Sequence, residues 1–408
     1  MRLVARSIGT ARLSLLTGVV FALGPVSVDM SLPSVPATQQ ALGGGGGRVE
    51  LTLTGLVFGL AVTQLLFGAI ADRYGRRRAL LLGLTLYILA SALAAGSGAI
   101  LHLAMARLLQ AAGYGVVIVL IRSAVVDVCN EGLAARVFST AITLMSLTSV
   151  IAPIAGAQIL VHLGWRAEFW VMAAAGLAAW LLTAGALPET HPPGRRSRPR
   201  IHEVFLTYAT LLRQRRIAAF AIAAGGAVAC QFSYNTAGPA ILIEHFRLSP
   251  ASAGWLLSLI ALSTAAAAQA NFLILRRMSP ERLLIIAIGL LVASSAALLL
   301  VSVTQWGGVG AVVCALFVLV AVPGAIVPNA MAAAIAASGD RAGAASALIG
   351  VLQFLLGTLG SGVVGYFHDA SGRALGATVL CLSLATLGCA LLGRRRARSG
   401  SFDTSTIA

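Results

Sequence analysis

Apolar residues run along the chain in long blocks, each closed by arginines or by turn residues such as Gly, Pro and Gln. The blocks are long enough to be membrane-crossing helices and too long for the strands of a barrel. The pattern predicts twelve of them, at 13–36, 51–71, 79–99, 101–126, 136–162, 167–187, 217–243, 252–275, 283–303, 308–336, 342–367 and 374–393. The joints at Gly96-Ser97-Gly98 and Gln305-Trp306-Gly307 are the shortest. Gly43 to Gly47 form a five-glycine run with no Gly-Lys-Ser/Thr behind it, so they read as a flexible link and not as a phosphate-binding loop.

Composition strengthens the membrane reading. Of 408 residues 58% are hydrophobic and only 10% charged, too few charges to coat a soluble globule of this size. A net charge of +16 invites a nucleic-acid partner, but the 29 basic residues are all Arg and fall in clusters between the apolar blocks. That is how a membrane protein records orientation, and it implies no nucleic acid. With strict alternation, 23 arginines fall on the side of the N-terminus and four (Arg48, Arg166, Arg247, Arg373) on the other. Both termini are therefore expected in the cytoplasm. The first block continues through Asp29 to Pro36, so it reads as an uncleaved helix and not as a signal peptide.

The longest polar connection, 188–216, holds seven arginines and Pro192, Pro193 and Pro199. It predicts a cytoplasmic N-terminus at 1–12, six-helix bundles at 13–187 and 217–393 around a central cytoplasmic loop at 188–216, and a cytoplasmic tail at 394–408. The loop after the second block has a weak echo after the eighth, at Arg276, Arg277, Pro280 and Arg282, as duplicated halves would give.

The sharpest motif is Gly68-Ala-Ile-Ala-Asp72-Arg73-Tyr74-Gly75-Arg76-Arg77-Arg78. Gly68 permits close helix contact, Asp72 ends the second block, Gly75 allows a tight turn and the arginines hold it at the cytoplasmic face. This spacing resembles the signature of the major facilitator superfamily. Further stretches resemble its Bcr/CflA branch of proton-coupled drug exporters. Val28-Asp29-Met30-Ser31-Leu32-Pro33-Ser34-Val35-Pro36 is similar to that branch's D-M-Y-L-P-x-x-P, with Ser31 in place of Tyr. Arg107-Leu-Leu-Gln110-Ala-Ala-Gly113 is similar to R-x-x-Q-G, with Arg122 and Asp127 beyond it. Pro153 and Gly156 lie in a degenerate antiporter motif, and Tyr234-Asn235 with Gly238-Pro239, and Ala344 to Gly350 with Gln353-Phe354, also fit. The resemblance covers about residues 15–392 and implies an all-α membrane protein. It implies twelve transmembrane helices in two six-helix bundles, a monomer in the bacterial inner membrane, and export of small, often apolar compounds against proton entry.

The residues themselves agree with that chemistry. Asp29 is the only carboxylate that the pattern places well inside the bilayer, and an intramembrane acid costs about 3 kcal/mol on insertion scales, so it is a functional candidate. Burial disfavours a charged carboxylate and a nearby guanidinium favours it; an acid balanced between the two can load and release a proton. Asp29 and Arg107 are the expected proton-coupling residues, Arg107 holding Asp29 charged in one state. A fixed ion pair, or an arginine that snorkels to the interface, is the alternative. Gly68, Asp72, Arg73, Gly75, Arg76, Arg122 and Asp127 are the expected cytoplasmic gate, with Asp72, Arg76 and Asp127 meeting there. The cavity candidates are Phe58, Gln64, Gln110, Tyr234, Asn235, Asn271, Asn329, Gln353 and Phe354, for each of which interhelical hydrogen bonding is an equal reading. The five scattered cysteines and six histidines show no metal spacing, no cofactor is implied, and no clustered nucleophile or His/Asp pair points to an enzyme. The partners expected are a small-molecule substrate, protons and the lipid bilayer. Efflux of an endogenous metabolite is a second reading, and a non-transporting sensor or membrane-embedded enzyme a remote third.

Overall fold

A computed structural model of the chain describes residues 10–43, 49–190, 201–367 and 369–399, and every regular element among them is helical. The chain begins with α1 (Thr10–Val28), a tight turn at Leu32–Ser34 and α2 (Val35–Ala41). Then come α3 (Glu50–Tyr74), α4 (Arg76–Ala95), α5 (Ile100–Val128), α6 (Glu131–Leu163) and α7 (Trp165–Ala186). After them follow α8 (Ile201–Arg213), α9 (Arg215–Ala240), α10 (Pro250–Ile274), α11 (Pro280–Thr304), α12 (Gly308–Ala321), α13 (Pro323–Ser338), α14 (Ala342–Phe367) and α15 (Arg373–Ser399). Among the described residues eleven helices are long and apolar enough to cross a membrane. The expected twelve spans thus appear as eleven, because the described apolar part of α3 covers only Glu50–Leu65.

Local chemistry sets the boundaries. The Asn130 side chain accepts from the Leu133 amide at 2.9 Å and so caps α6. Pro280 opens α11, where its missing N–H removes nothing from the helix. Between α3 and α4, Gly75 takes φ +88°, a conformation that side chains with a Cβ rarely adopt.

Three expectations are corrected. The first block, 13–36, is not one helix: the chain breaks after Val28, since Pro33 and Pro36 cannot continue a hydrogen-bond ladder. The block 308–336 is divided at Val322, where Pro323 starts a new helix. The central connection 188–216 holds a regular helix, α8, whose Leu211 is buried against Ile217, Ala345 and Leu348.

The contacts group the chain into two compact units. Unit 1 comprises Met1–Ile201, Asn235–Leu262 and Gly365–Ala370; unit 2 comprises His202–Tyr234, Ser263–Val364 and Ser371–Ala408. In unit 1, α5 packs against α3 and α4, α1 against α6, and α4 against α7, around a core of Leu16, Leu84, Tyr87, Val117, Leu120 and Met172. In unit 2, α11 packs against α12, α13 and α15. Large apolar side chains such as Leu82, Leu101, Leu163 and Trp306 remain outward-facing, which in water would be a strong aggregation liability and in lipid is the ordinary state.

Candidate functional site

The first helix stops where its polar motif begins. The amides of Asp29 and Met30 both donate to the Pro25 carbonyl, at 2.7 and 3.3 Å, and Leu32 donates to the Asp29 carbonyl at 3.3 Å. This irregular stretch is held by α6. A Cβ added to Gly156 would lie 1.8 Å from the Met30 carbonyl oxygen, so only glycine allows the two backbones to touch there. Asp29 is half-buried and stands beside the Ser149 hydroxyl of α6. Pro153 lies one turn before Gly156 inside the same helix.

Arg107 sits deep in unit 1, only 2% exposed. Its Nη1 donates to the Ser27 carbonyl at 2.7 Å and to Gln110 Oε1 at 3.0 Å, and its Nη2 donates to Ser31 Oγ at 2.6 Å. The guanidinium lies over the Phe169 ring, 5.2 Å from its centroid. Gln110 Nε2 in turn donates to Ser91 Oγ at 2.8 Å, and Ser27 Oγ and the Tyr87 hydroxyl share a 2.8 Å bond. No ion pair joins Arg107 to Asp29 among the described residues. The cation is held instead by the backbone and hydroxyls flanking Asp29, because the break exposes acceptors that a continuous helix would hide. Arg107 does not snorkel.

The sequence reading missed Glu168. This acid lies on the first turn of α7 with 0% exposure, and its Oε1 accepts from the Ser34 hydroxyl. Asp29 is therefore not the only acid inside the helices. Glu50, at the start of α3, is a further buried carboxylate. Glu168 was hidden by its neighbour: Arg166 made the segment look like an interfacial helix start.

At the turn between α3 and α4 the structure brings Arg76 and Asp127 together, Nε to Oδ2 3.2 Å. Thr190 donates to the same Asp127 oxygen at 3.3 Å, and the Arg76 amide donates to Glu189 Oε1 at 2.8 Å. Arg77 donates to the Ala184 carbonyl at 2.6 Å, so the end of α7 closes over this clasp. Glu189 and Thr190 were not anticipated, since Pro188 marked only the end of an apolar block. Gly68, Asp72 and Arg73 fall on the last turns of α3, where the side chains lie outside the described residues. Arg122 does not join the clasp: it lies over the Phe21 ring of α1, 5.4 Å from the centroid.

The cavity candidates separate into kinds. Gln110 is committed to Arg107 and Ser91, and Asn329 donates to Asn271 Oδ1 at 2.6 Å, both buried, so these three act in helix packing here. Phe58 is 46% exposed and Gln64 half-buried on α3. Tyr234 and Asn235 are buried on α9. Phe354 tilts against Phe232 with centroids 6.0 Å apart, and the neighbouring Gln353 keeps a buried Nε2 without a hydrogen-bond partner.

Known proteins share this chain's architecture. It is 31% identical over 391 residues to an uncharacterized MFS-type transporter of Bacillus subtilis (strain 168), spanning 93% of this chain and 96% of that one. It is 26% identical over 383 residues to a bicyclomycin resistance protein homolog of Haemophilus influenzae, spanning 94% and 96%. The crystal structure of a D-xylose-proton symporter superposes with a TM-score of 0.72 at 14% identity, covering 95% of this chain and 97% of that one, a likeness of fold alone. The Major Facilitator Superfamily model matches residues 17–361, and the chain belongs to that superfamily of membrane transporters.

Proposed function

We propose that the protein is a proton-coupled exporter of small, largely apolar drugs or antibiotics. It works by alternating access as a monomer in the bacterial inner membrane, with twelve spans in two six-helix bundles and both termini cytoplasmic. The observation that carries this reading is the polar network built into the break after α1. There an acid, Asp29, and an arginine cage share one irregular stretch of backbone inside an apolar helix group. Charge in such a place costs several kcal/mol unless it serves a purpose. The name of the Haemophilus influenzae relative, a bicyclomycin resistance protein homolog, supports export as the direction and antibiotics as the class of cargo.

In this reading Asp29 takes a proton on one side and loses it on the other. Neutral Asp29 leaves Arg107 with the Ser27 and Ser31 acceptors; ionised Asp29 competes for the guanidinium and strains the break. The Arg76–Asp127 clasp biases the cytoplasmic side toward closure. The pair opens to solvent through Asp127, 26% exposed, so its bias is small, about 0–1 kcal/mol, yet enough to shift a near-balanced equilibrium. Phe232, Gln353 and Phe354 offer the apolar surface and amide for the cargo. A susceptibility panel in a pump-deficient bacterial host tests the proposal. The wild-type chain should raise tolerance to several apolar antibiotics and Asp29→Asn should abolish that gain. No gain from the wild type sinks the drug reading, and a full gain from Asp29→Asn sinks the role of the acid.

A further inference from the structure

We propose that Glu168 is a second proton-carrying group, tethered through Ser34 to the same break that holds Asp29. The inference rests on the proton-coupled reading above and deepens it.

Glu168 is fully buried, its Oε1 is held by the Ser34 hydroxyl, and its Oε2 is buried with no hydrogen-bond partner. A bare carboxylate oxygen in such a place is strongly disfavoured, whereas a protonated one, carrying O–H, needs only a weak acceptor. The ionisable groups turned toward it are Arg107 of α5 and, behind Arg107, the Tyr87 phenol of α4. Arg166 on its own helix is occupied elsewhere, over Trp165 and donating to the Ser97 carbonyl. Asp29 lies beside Ser149 of α6.

The arrangement makes a two-position switch. With Oε2 protonated, Glu168 is neutral and Arg107 serves Ser27, Ser31 and Gln110, as observed. When the proton leaves Oε2 for water, Glu168 becomes an anion next to a guanidinium that stays protonated. Arg107 then moves toward it, releasing Ser31. Ser31 and Ser34 both belong to the break, so the change reaches Asp29 two residues before Ser31. No other bond is made or broken, and the proton taken up from one aqueous side is the proton returned on the other.

Infrared difference spectroscopy on the purified full-length protein in lipid vesicles, titrated with pH, tests this without any substrate. Among the titrating carboxylic-acid carbonyl bands of the wild type, Glu168→Gln should remove one and Asp29→Asn another. Ser34→Ala, which keeps the acid and removes its tether, should keep both bands and shift the midpoint of one. A wild-type spectrum in which the Glu168 band is absent, or present but unchanged across the whole pH range, makes the acid a fixed structural group and overturns the proposal. So does an unshifted spectrum in Ser34→Ala, which covers the case in which Glu168→Gln fails to fold. Loss of only the Asp29 band's titration would instead strike the parent reading and leave this one standing.

Discussion

Every charged side chain buried among the described residues, Glu50, Arg76, Arg107 and Glu168, belongs to unit 1, while unit 2 buries serines, a threonine and the Asn271–Asn329 pair. The arginines of unit 2 sit at helix ends, as at Arg216, paired with Glu281, and at Arg276 over the Phe272 ring. Neutral amides and hydroxyls cost little to desolvate once bonded to each other, whereas a buried ion demands compensation on every side. Unit 1 therefore carries stored electrostatic stress and unit 2 does not. On the proposed function, proton chemistry belongs with the first, and packing together with cargo contact at Phe232 and Phe354 with the second.

Substitutions can break this contrast, beginning with the one expected to do most damage. Arg107→Ala leaves the Ser27 carbonyl and Gln110 Oε1 without their donor and opens a cavity in the buried core of unit 1. Lost hydrogen bonds and the cavity together should cost about 2–5 kcal/mol, read as thermal unfolding in detergent by tryptophan fluorescence. A loss no greater than that of a neutral unit 2 variant would erase the distinction. Next comes Gly156→Ala, whose methyl would meet the Met30 carbonyl; about 1–3 kcal/mol of overpacking is expected by the same assay. Its control is Gly289→Ala in α11, where nothing lies within 4 Å of the added Cβ, and where no loss should be seen. Asn329→Ala should cost about 0.6 kcal/mol and at most about 1.7, the range for hydrogen bonds between membrane helices. The smallest effect belongs to Asp127→Asn. Asn keeps an acceptor oxygen for Arg76 and Thr190, and Asp127 has 26% of its side chain exposed, so about 0–1 kcal/mol is expected, diminishing as salt is raised. Transport should suffer in that variant more than stability does, and a stability loss above the Asn329→Ala value would make the clasp a structural brace.

Much of the fold could be read from hydropathy because lipid-facing helices are apolar all round, and the blocks at 167–187, 283–303 and 342–367 lie within a few residues of α7, α11 and α14. Hydropathy is blind to backbone, however. It ran one helix through Pro33 and another through Pro323, and it took α8 for loop because arginines and prolines outweighed the spacing of Phe205, Tyr208, Leu211 and Leu212. The candidate site was legible where a pair is set by charge and helix ends, as with Arg76 and Asp127. The partners of Arg107 were not, because backbone carbonyls freed by a break carry no signature in a side-chain pattern. Glu168 was passed over for a related reason: an acid one turn into a helix and two residues from an arginine looks solvated until the neighbouring helices are in place.

The contact between Gly156 and the Met30 carbonyl has a mechanical consequence. One turn away on the same face of α6 stand Ala152 and Leu160, so a slide of a full turn would drive a side chain into that oxygen, whereas pivoting about Gly156 would not. The spot behaves as a fulcrum, and whatever tilts the stretch bearing Asp29 must lever the C-terminal third of α6, the longest of the described helices, along with it.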